Sequence, residues 1–306
     1  MISVIFPVFN EQDNLQELYQ RLSSAVEKVE GYDFEFIFVD DCSADKTPEI
    51  LKDLHSKDQR VKIIRFARNC GGHAALMAGL YSCKGDCAIA LAADLQDPPE
   101  LIFDLIANWK EGAKIVWAAR LKRQGESFSV KIFSKFYYTL INVLTNVQMP
   151  SLGVDVFLAD RIAIESLKSM PEKHSSIYMA LAWLGFPQAT IEYVKEARAN
   201  GASKWSLSKK IKLMIDSILS FSHVLIRSMS IFGFVTALVG FAYAAWIVGK
   251  ALLYGFAVQG WSSLMVAILV VGGIQMMMLG VLGEYLWRTF DESRRRPRFV
   301  IEYKID

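Results

Sequence analysis

Two long uncharged stretches near the C-terminus constrain this chain more than any other feature. No charged side chain occurs in residues 228–249, between Arg227 and Lys250, or in residues 251–283, between Lys250 and Glu284. A membrane-spanning helix needs about 20 mostly apolar residues, so each stretch is long enough to cross a bilayer. At 306 residues and 53% hydrophobic, the chain can supply two spans and still bury a large core. Lys204, Lys209, Lys210 and Lys212 precede the first stretch, with Arg227 at its edge. Arg288, Arg294, Arg295, Arg296 and Arg298 follow the second, and the loop from Tyr254 to Gly260 carries no charge. Positive flanks stay on the cytoplasmic side. The expectation is a hairpin of two transmembrane helices over residues 228–287, at about 228–250 and 262–285. Both termini then lie in the cytoplasm, with a basic tail over 288–306, at the inner (plasma) membrane. Met1 to Phe9 is strand-like and lacks the basic start of a secretory signal. Cys42, Cys70, Cys83 and Cys87 match no zinc spacing and read as small apolar residues in a reducing compartment.

The front of the chain has a different rhythm. Short apolar runs at Ile2–Val8, Phe34–Val39, Val61–Phe66, Cys87–Ala92 and Ile115–Ala119 alternate with helical patterns. Leu15, Leu18, Leu22, Ala25 and Val29 share one helix face. Thr47-Pro48 reads as an N-cap followed by proline at the first helical position. Asp97-Pro98-Pro99-Glu100 reads as a capping box, with Asp97 as the cap. The alternation predicts an α/β domain over residues 1–200, a mostly parallel sheet flanked by helices. Ligands of such sheets sit beyond the carboxyl ends of the strands, where Asn10, Glu11, Asp40, Asp41, Asn69, Asp94, Gln96 and Arg120 fall. Phe128–Val147 and Lys204–Ser222 mix basic and apolar residues as interfacial helices do, the second lying within an expected amphipathic segment at 201–227.

The first turn lacks Gly-x-Gly-x-x-Gly, and no Walker phosphate loop is present, which excludes the common dinucleotide and P-loop sites. Acidic residues end two strands instead. Asp94 and Gln96, two apart in an extended segment, point the same way and offer hard oxygen ligands to a divalent cation bound with phosphate.

Pro7-Val8-Phe9-Asn10-Glu11, Phe38-Val39-Asp40-Asp41-Cys42-Ser43, Arg68-Asn69-Cys70-Gly71-Gly72-His73 and Ala93-Asp94-Leu95-Gln96-Asp97-Pro98-Pro99 together resemble family 2 glycosyltransferases of the GT-A fold. The match is nearest to the polyprenyl-phosphate glycosyltransferases, relatives of dolichol-phosphate mannose synthase and of bacterial undecaprenyl-phosphate glucosyl and aminoarabinosyl transferases, and it extends over essentially the whole chain. The resemblance implies an inverting transfer of one sugar from a UDP- or GDP-sugar to a polyprenyl phosphate. Pro7, Phe9, Glu11 and Asp40 would hold the nucleoside, Asp94 and Gln96 would bind Mg2+ or Mn2+ against the diphosphate, and Arg120 would face the phosphates. Asp155 takes the place of an acidic residue near the acceptor, and Gly201-Ala202-Ser203-Lys204-Trp205 resembles the family's Gly-x-Ser-Lys-aromatic segment. Lys131, Lys135, Ser203 and Lys204 are therefore candidates for the acceptor phosphate. Many relatives carry Asp-x-Asp-x-Gln where this chain has Ala92-Ala93-Asp94-Leu95-Gln96, one carboxylate fewer.

A lipid-linked sugar transporter and a catalytically impaired membrane scaffold are the alternatives. The spans lack the intramembrane charge that marks transport pathways; Gln275 is a lone polar group, and Gly272, Gly273, Gly280 and Gly283 favour close helix packing. A processive polysaccharide synthase would need a Gln-x-x-Arg-Trp segment, which is absent. Phe299–Tyr303 is strand-like and is expected to pair with a sheet edge in its own chain or a neighbour's. The resemblance also implies a homo-oligomer, a tetramer. No nucleic-acid partner is expected.

Overall fold

The computed structural model describes residues 1–123, 154–170, 176–196, 224–254 and 260–306. The chain divides into two compact units, Met1–Ile218 with Pro297–Asp306, and Leu219–Arg296.

The first unit is built on eight strands: β1 (Ile2–Val8), β2 (Phe34–Asp40), β3 (Val61–Phe66), β4 (Cys87–Ala90), β5 (Ile115–Arg123), β6 (Val154–Asp160), β7 (Gln188–Lys195) and β8 (Ile301–Ile305). They form one sheet in the order β7-β5-β6-β4-β1-β2-β3-β8. β1 pairs in parallel with β2 and β4, β2 with β3, and β5 with β7. β6 runs antiparallel between β4 and β5, and β8 runs antiparallel along β3. Among the described residues the helices here are α1 (Leu15–Val26), α2 (Thr47–Lys57), α3 (Gly72–Ser82), α4 (Leu101–Lys110), α5 (Arg161–Lys168) and α6 (Ile177–Trp183). β2 and β4 are buried along their whole length, which is why they read as mostly apolar runs rather than alternating ones. Leu15, Leu18, Leu22 and Ala25 of α1 are buried as one face. Helix α3 presses close to β1: a Cβ on Gly79 would stand 2.3 Å from the Ile5 side chain, so only glycine fits there.

One charged cluster holds the opposite edge from the strand ends that matter below. Buried Glu35 accepts hydrogen bonds from Ser3 Oγ (2.6 Å), Lys62 Nζ (2.5 Å) and the Lys84 N–H (2.6 Å). Burial alone would raise its pKa; Lys62, Ser3 and the Lys84 N–H outweigh that and hold it below the ordinary glutamate value.

Several sequence expectations need correction. Thr47 does not cap α2; it lies inside the first turn, where its N–H donates to Asp45 (3.0 Å) and its Oγ1 accepts the Glu11 N–H (3.0 Å). Asp97 does not cap α4, whose N-cap is Glu100 without a side-chain bond; its carboxylate is used elsewhere. Strand β4 stops at Ala90 and β5 continues to Arg123. The C-terminal segment pairs within its own chain. Its strand β8 covers the β3 edge, the Ala67 N–H donates to the Val300 carbonyl (2.9 Å), and Phe299 stacks on Phe66 at 4.9 Å.

The second unit contains α7 (Val224–Tyr254) and α8 (Trp261–Ser293). Ile226–Tyr243 and Val270–Ser293 are long and apolar enough to cross a membrane, and neither window is buried within the protein. Phe234, Leu238, Phe241, Leu253, Met276 and Leu286 are all exposed, large apolar side chains that suit lipid rather than water. Gly233 of α7 lies where a Cβ would come within 3.1 Å of Met278 on α8. Glu284 and Arg288 pair at i,i+4 (3.1 Å) toward the end of α8.

Candidate active site

The carboxyl ends of β1, β2, β4, β5 and β7 and the amino end of β6 share one edge of the sheet. A ligand is expected at that edge, and in particular beside β1, where the chain direction across the sheet reverses between β2 and β4.

On the β1–β2 side, two loops are laced together. Asn10 adopts a left-handed backbone (φ 53°). Its N–H donates to Ser43 Oγ (2.9 Å), and its Oδ1 accepts the Ala44 N–H (2.8 Å). Asparagine tolerates this conformation better than other non-glycine residues because its short side chain bonds locally. The Glu11 carboxylate accepts from Asn14 Nδ2 (2.6 Å). The two aspartates then divide their work. Buried Asp40 accepts the Ser43 N–H (2.9 Å) and pairs with Arg65, which also reaches Glu302 on β8 (3.0 Å). Asp41 accepts the N–H groups of Cys70 (2.6 Å) and Gly71 (2.8 Å), fixing the turn into α3; burial raises its pKa despite those bonds. Pro7, Phe9 and Glu11 remain partly open to solvent, whereas Asp40 is closed off.

Beyond β4 the segment is a turn rather than the extended stretch expected. Leu95 is anchored in the core and takes a left-handed φ of 59°, a conformation that costs an aliphatic residue about 1–3 kcal/mol. Asp94 and Gln96, on either side of it, stay partly exposed, and Asp94 Oδ1 accepts the Gln96 N–H (3.2 Å). Among the described residues no group of three His, Cys, Asp or Glu forms a cage of its own. One carboxylate and one amide suit a Mg2+-like cation that takes its other ligands from phosphate and water, and fit no metal that needs an all-protein shell.

Next to this turn lies a charge cluster. Arg120 Nη1 and Lys195 Nζ both approach Asp155 Oδ2, at 3.3 and 2.6 Å. Lys195 also meets Asp97 Oδ1 (3.3 Å), which accepts the Tyr193 hydroxyl (2.6 Å). Burial raises the pKa of Asp97, with Lys195 opposing that shift, and burial also pushes the Tyr193 phenol up, so it remains a proton donor. Asp155 is further tied to the sheet's neighbouring layer: the Tyr178 hydroxyl donates to its carbonyl (3.1 Å), and the His73 ring meets Tyr178 edge-on at 5.6 Å.

Enclosure, and then repulsion from Arg298, push the His73 imidazole down from 6.5 to about 4. The unfolded chain therefore takes up a proton that the folded chain refuses. Stability from this group is complete above pH 6.5 and falls by about 3 kcal/mol as the pH drops to about 4. Denaturation midpoints of the full-length protein at pH 7.5 and 4.5 should differ more in the wild type than in His73→Gln; equal differences would contradict this.

Of the residues chosen from sequence, Asp94, Gln96, Arg120 and Asp155 come to one edge with Pro7, Phe9, Glu11 and Asp40. Lys131, Lys135, Ser203 and Lys204, and both expected interfacial helices, lie outside the described residues. Sequence reasoning missed Lys195 and Tyr193. Their signal was the alternation of β7, in which Tyr193 and Lys195 are buried and Val194 faces out.

The family model described as glycosyl transferase family 2 matches residues 3–167, which spans every strand from β1 to β6. The chain belongs to glycosyl transferase family 2. This glycosyltransferase is 38% identical over 300 residues to an uncharacterised glycosyltransferase of Bacillus subtilis, covering 98% of this chain and 93% of the relative. It is 36% identical to a prophage bactoprenol glucosyl transferase homolog of Escherichia coli, over 98% of each chain. It is 35% identical to the bactoprenol glucosyl transferase of Shigella phage SfV, again over 98% of each. The fold resembles that of glucosyl-3-phosphoglycerate synthase from Mycobacterium tuberculosis, solved with Mn2+, uridine diphosphate and phosphoglyceric acid. That comparison has a TM-score of 0.51 at 18% identity, covering 72% of this chain and 76% of the other. The fold of this glycosyltransferase is thus the expected GT-A arrangement, a mixed sheet with flanking helices.

Proposed function

We propose that this glycosyltransferase is an inverting enzyme that moves a single sugar from a UDP- or GDP-sugar to a polyprenyl phosphate, in bacteria undecaprenyl phosphate, at the cytoplasmic face of the membrane. The observation that carries this reading is the end-to-end match to bactoprenol glucosyl transferases, which includes the two apolar helices as well as the sheet domain. The assembled Arg120, Asp155 and Lys195 cluster beside Asp94 supports a working site over an impaired scaffold.

Each residue then has a physical task. Pro7, Phe9 and Glu11 line the place for the nucleoside, and Asp40 holds Ser43 and Arg65 behind them. Asp94 and Gln96 would hold a divalent cation together with the donor's phosphates, and that cation would supply charge neutralisation for the departing diphosphate. Arg120 adds a fixed positive charge on the same side. The acceptor is a phosphate monoester with a second pKa of about 6, already largely anionic at neutral pH. It needs orientation against the anomeric carbon more than it needs a base. Lys131, Lys135, Ser203 and Lys204 are assigned to hold it, and the apolar helices to keep its lipid chain in reach.

Full-length protein in liposomes containing undecaprenyl phosphate, given labelled UDP- and GDP-sugars with Mg2+ or Mn2+, should move label into the lipid phase. Label that crosses the bilayer without joining lipid would favour a transporter instead.

The single carboxylate of the turn has its own consequence. Ala92 is partly exposed just past β4, so an aspartate is accommodated there. Ala92→Asp should lower the metal concentration giving half-maximal rate by about tenfold, since ligand charge count sets cation affinity. An unchanged metal titration would place the cation away from this turn.

A further inference from the structure

Lys195 is a charged residue in an expensive position. Its side chain is 7% exposed and that of Asp97 is 0% exposed. Burying an ion costs several kcal/mol even after relaxation, and a buried pair is often replaced by apolar residues without loss of stability. The ammonium is therefore a poor device for stability alone. Its geometry points to another use. Lys195 and Arg120 converge on one oxygen of Asp155, whose side chain is 34% exposed at the active edge. Asp97 grips the ammonium from behind, and Tyr193, on the same face of β7, grips Asp97. Asp97 immediately follows Gln96, so this grip is attached to the Asp94–Gln96 turn.

The end of β7 does not depend on Lys195 for its docking. The Glu196 N–H donates to the Gln96 carbonyl (2.9 Å), and Arg21 bridges Glu196 (3.2 Å) and Glu100 (3.0 Å). Removing the ammonium leaves those links in place. What it removes is the cation that sets Asp155 against Arg120.

We propose that Lys195 is a positioning residue for sugar transfer: it fixes the Asp155 carboxylate, and through it the Arg120 guanidinium, relative to the turn that carries Asp94 and Gln96. This rests on the transfer reading above. A displacement of about 1 Å at a reacting site costs about 100-fold in rate, so Lys195→Met should lower kcat by about 100-fold. The KM for the sugar nucleotide should change little, because the nucleoside residues lie on other loops. The thermal midpoint should fall, because buried Asp97 loses its cation, so the split between kcat and KM is the readout that a merely structural role would not give. Lys195→Arg should recover most of the rate, since a guanidinium can span both carboxylates.

The assay is lipid-phase transfer by the full-length protein in undecaprenyl phosphate liposomes. A wild-type kcat in Lys195→Met, or an arginine variant no better than the methionine one, overturns the proposal. Should Lys195→Met fail to fold, Asp97→Asn decides: it keeps the shape, removes the charge that holds the ammonium from behind and ties it to the Asp94–Gln96 turn, and is expected to lower kcat with KM unchanged, whereas an unchanged kcat overturns the proposal. A wild-type protein that transfers from no donor defeats the transfer reading itself, which separates the two failures.

Discussion

Asp94→Ala should all but abolish metal-dependent sugar transfer, lowering kcat by about 100- to 1,000-fold, while the protein stays folded. The carboxylate is partly exposed, and its described bond within the turn is to the Gln96 N–H at 3.2 Å. Losing one such bond costs about 1 kcal/mol of stability. Leu95 keeps its anchor in the core, so the turn survives. The loss falls on the reaction, because preorganised charge at the leaving group is commonly the largest catalytic contribution, about 100- to 1,000-fold for a single donor group. Asp94 is the carboxylate that this turn offers to a cation, and no neighbour at position 92 substitutes for it. Turnover should be measured beside calorimetry of metal with donor nucleotide. Turnover within tenfold of wild type would remove Asp94 from the metal site.

Asp155→Asn should lower kcat by about 100-fold without changing the shape of the pH–rate profile. A carboxylate near the acceptor has two roles open to it: accepting a proton, or orienting a basic neighbour. The geometry favours the second, since two cations share one of its oxygens at 2.6 and 3.3 Å. Two cations on one oxygen fix the direction of the carboxylate, which is what an orienting group must do. The acceptor phosphate brings its own negative charge, so the reaction does not require a base there. The asparagine keeps the shape and weakens the hold on both cations, with Lys195 then facing Asp97 alone. Loss of an acidic limb from the pH–rate profile of the variant would reinstate Asp155 as the base.

The parts legible in the sequence were those with strong local signals. The parallel strands β1 to β4 announced themselves as short, mostly apolar runs, and the uncharged stretches gave both long helices. β6 and β7 were not legible. β6 is an antiparallel insertion between β4 and β5, so nothing local says that Val154–Asp160 lies between strands far earlier in the chain. β7 is an edge strand with a half-exposed pattern, a weak signal without its neighbours. Asp97 was misread because Asp-Pro-Pro-Glu satisfies the local rule for a helix start, while its actual partners, Tyr193 and Lys195, are about a hundred residues away. Long-range ion pairs of this kind leave no trace in spacing. Asp94, Gln96, Arg120 and Asp155 were found through their motifs, and the sheet order explains why those motifs meet: Asp94 and Gln96 follow the end of β4, Asp155 opens β6 and Arg120 lies in the second half of β5, all toward the same edge.

The most direct test of the account is the mass of the lipid product. Full-length protein in undecaprenyl phosphate liposomes with Mg2+ should convert at least one UDP- or GDP-sugar into undecaprenyl phosphate bearing one sugar, with one nucleoside diphosphate released per lipid modified. A polymer, or nucleotide turnover with unmodified lipid across the whole donor panel, would contradict it.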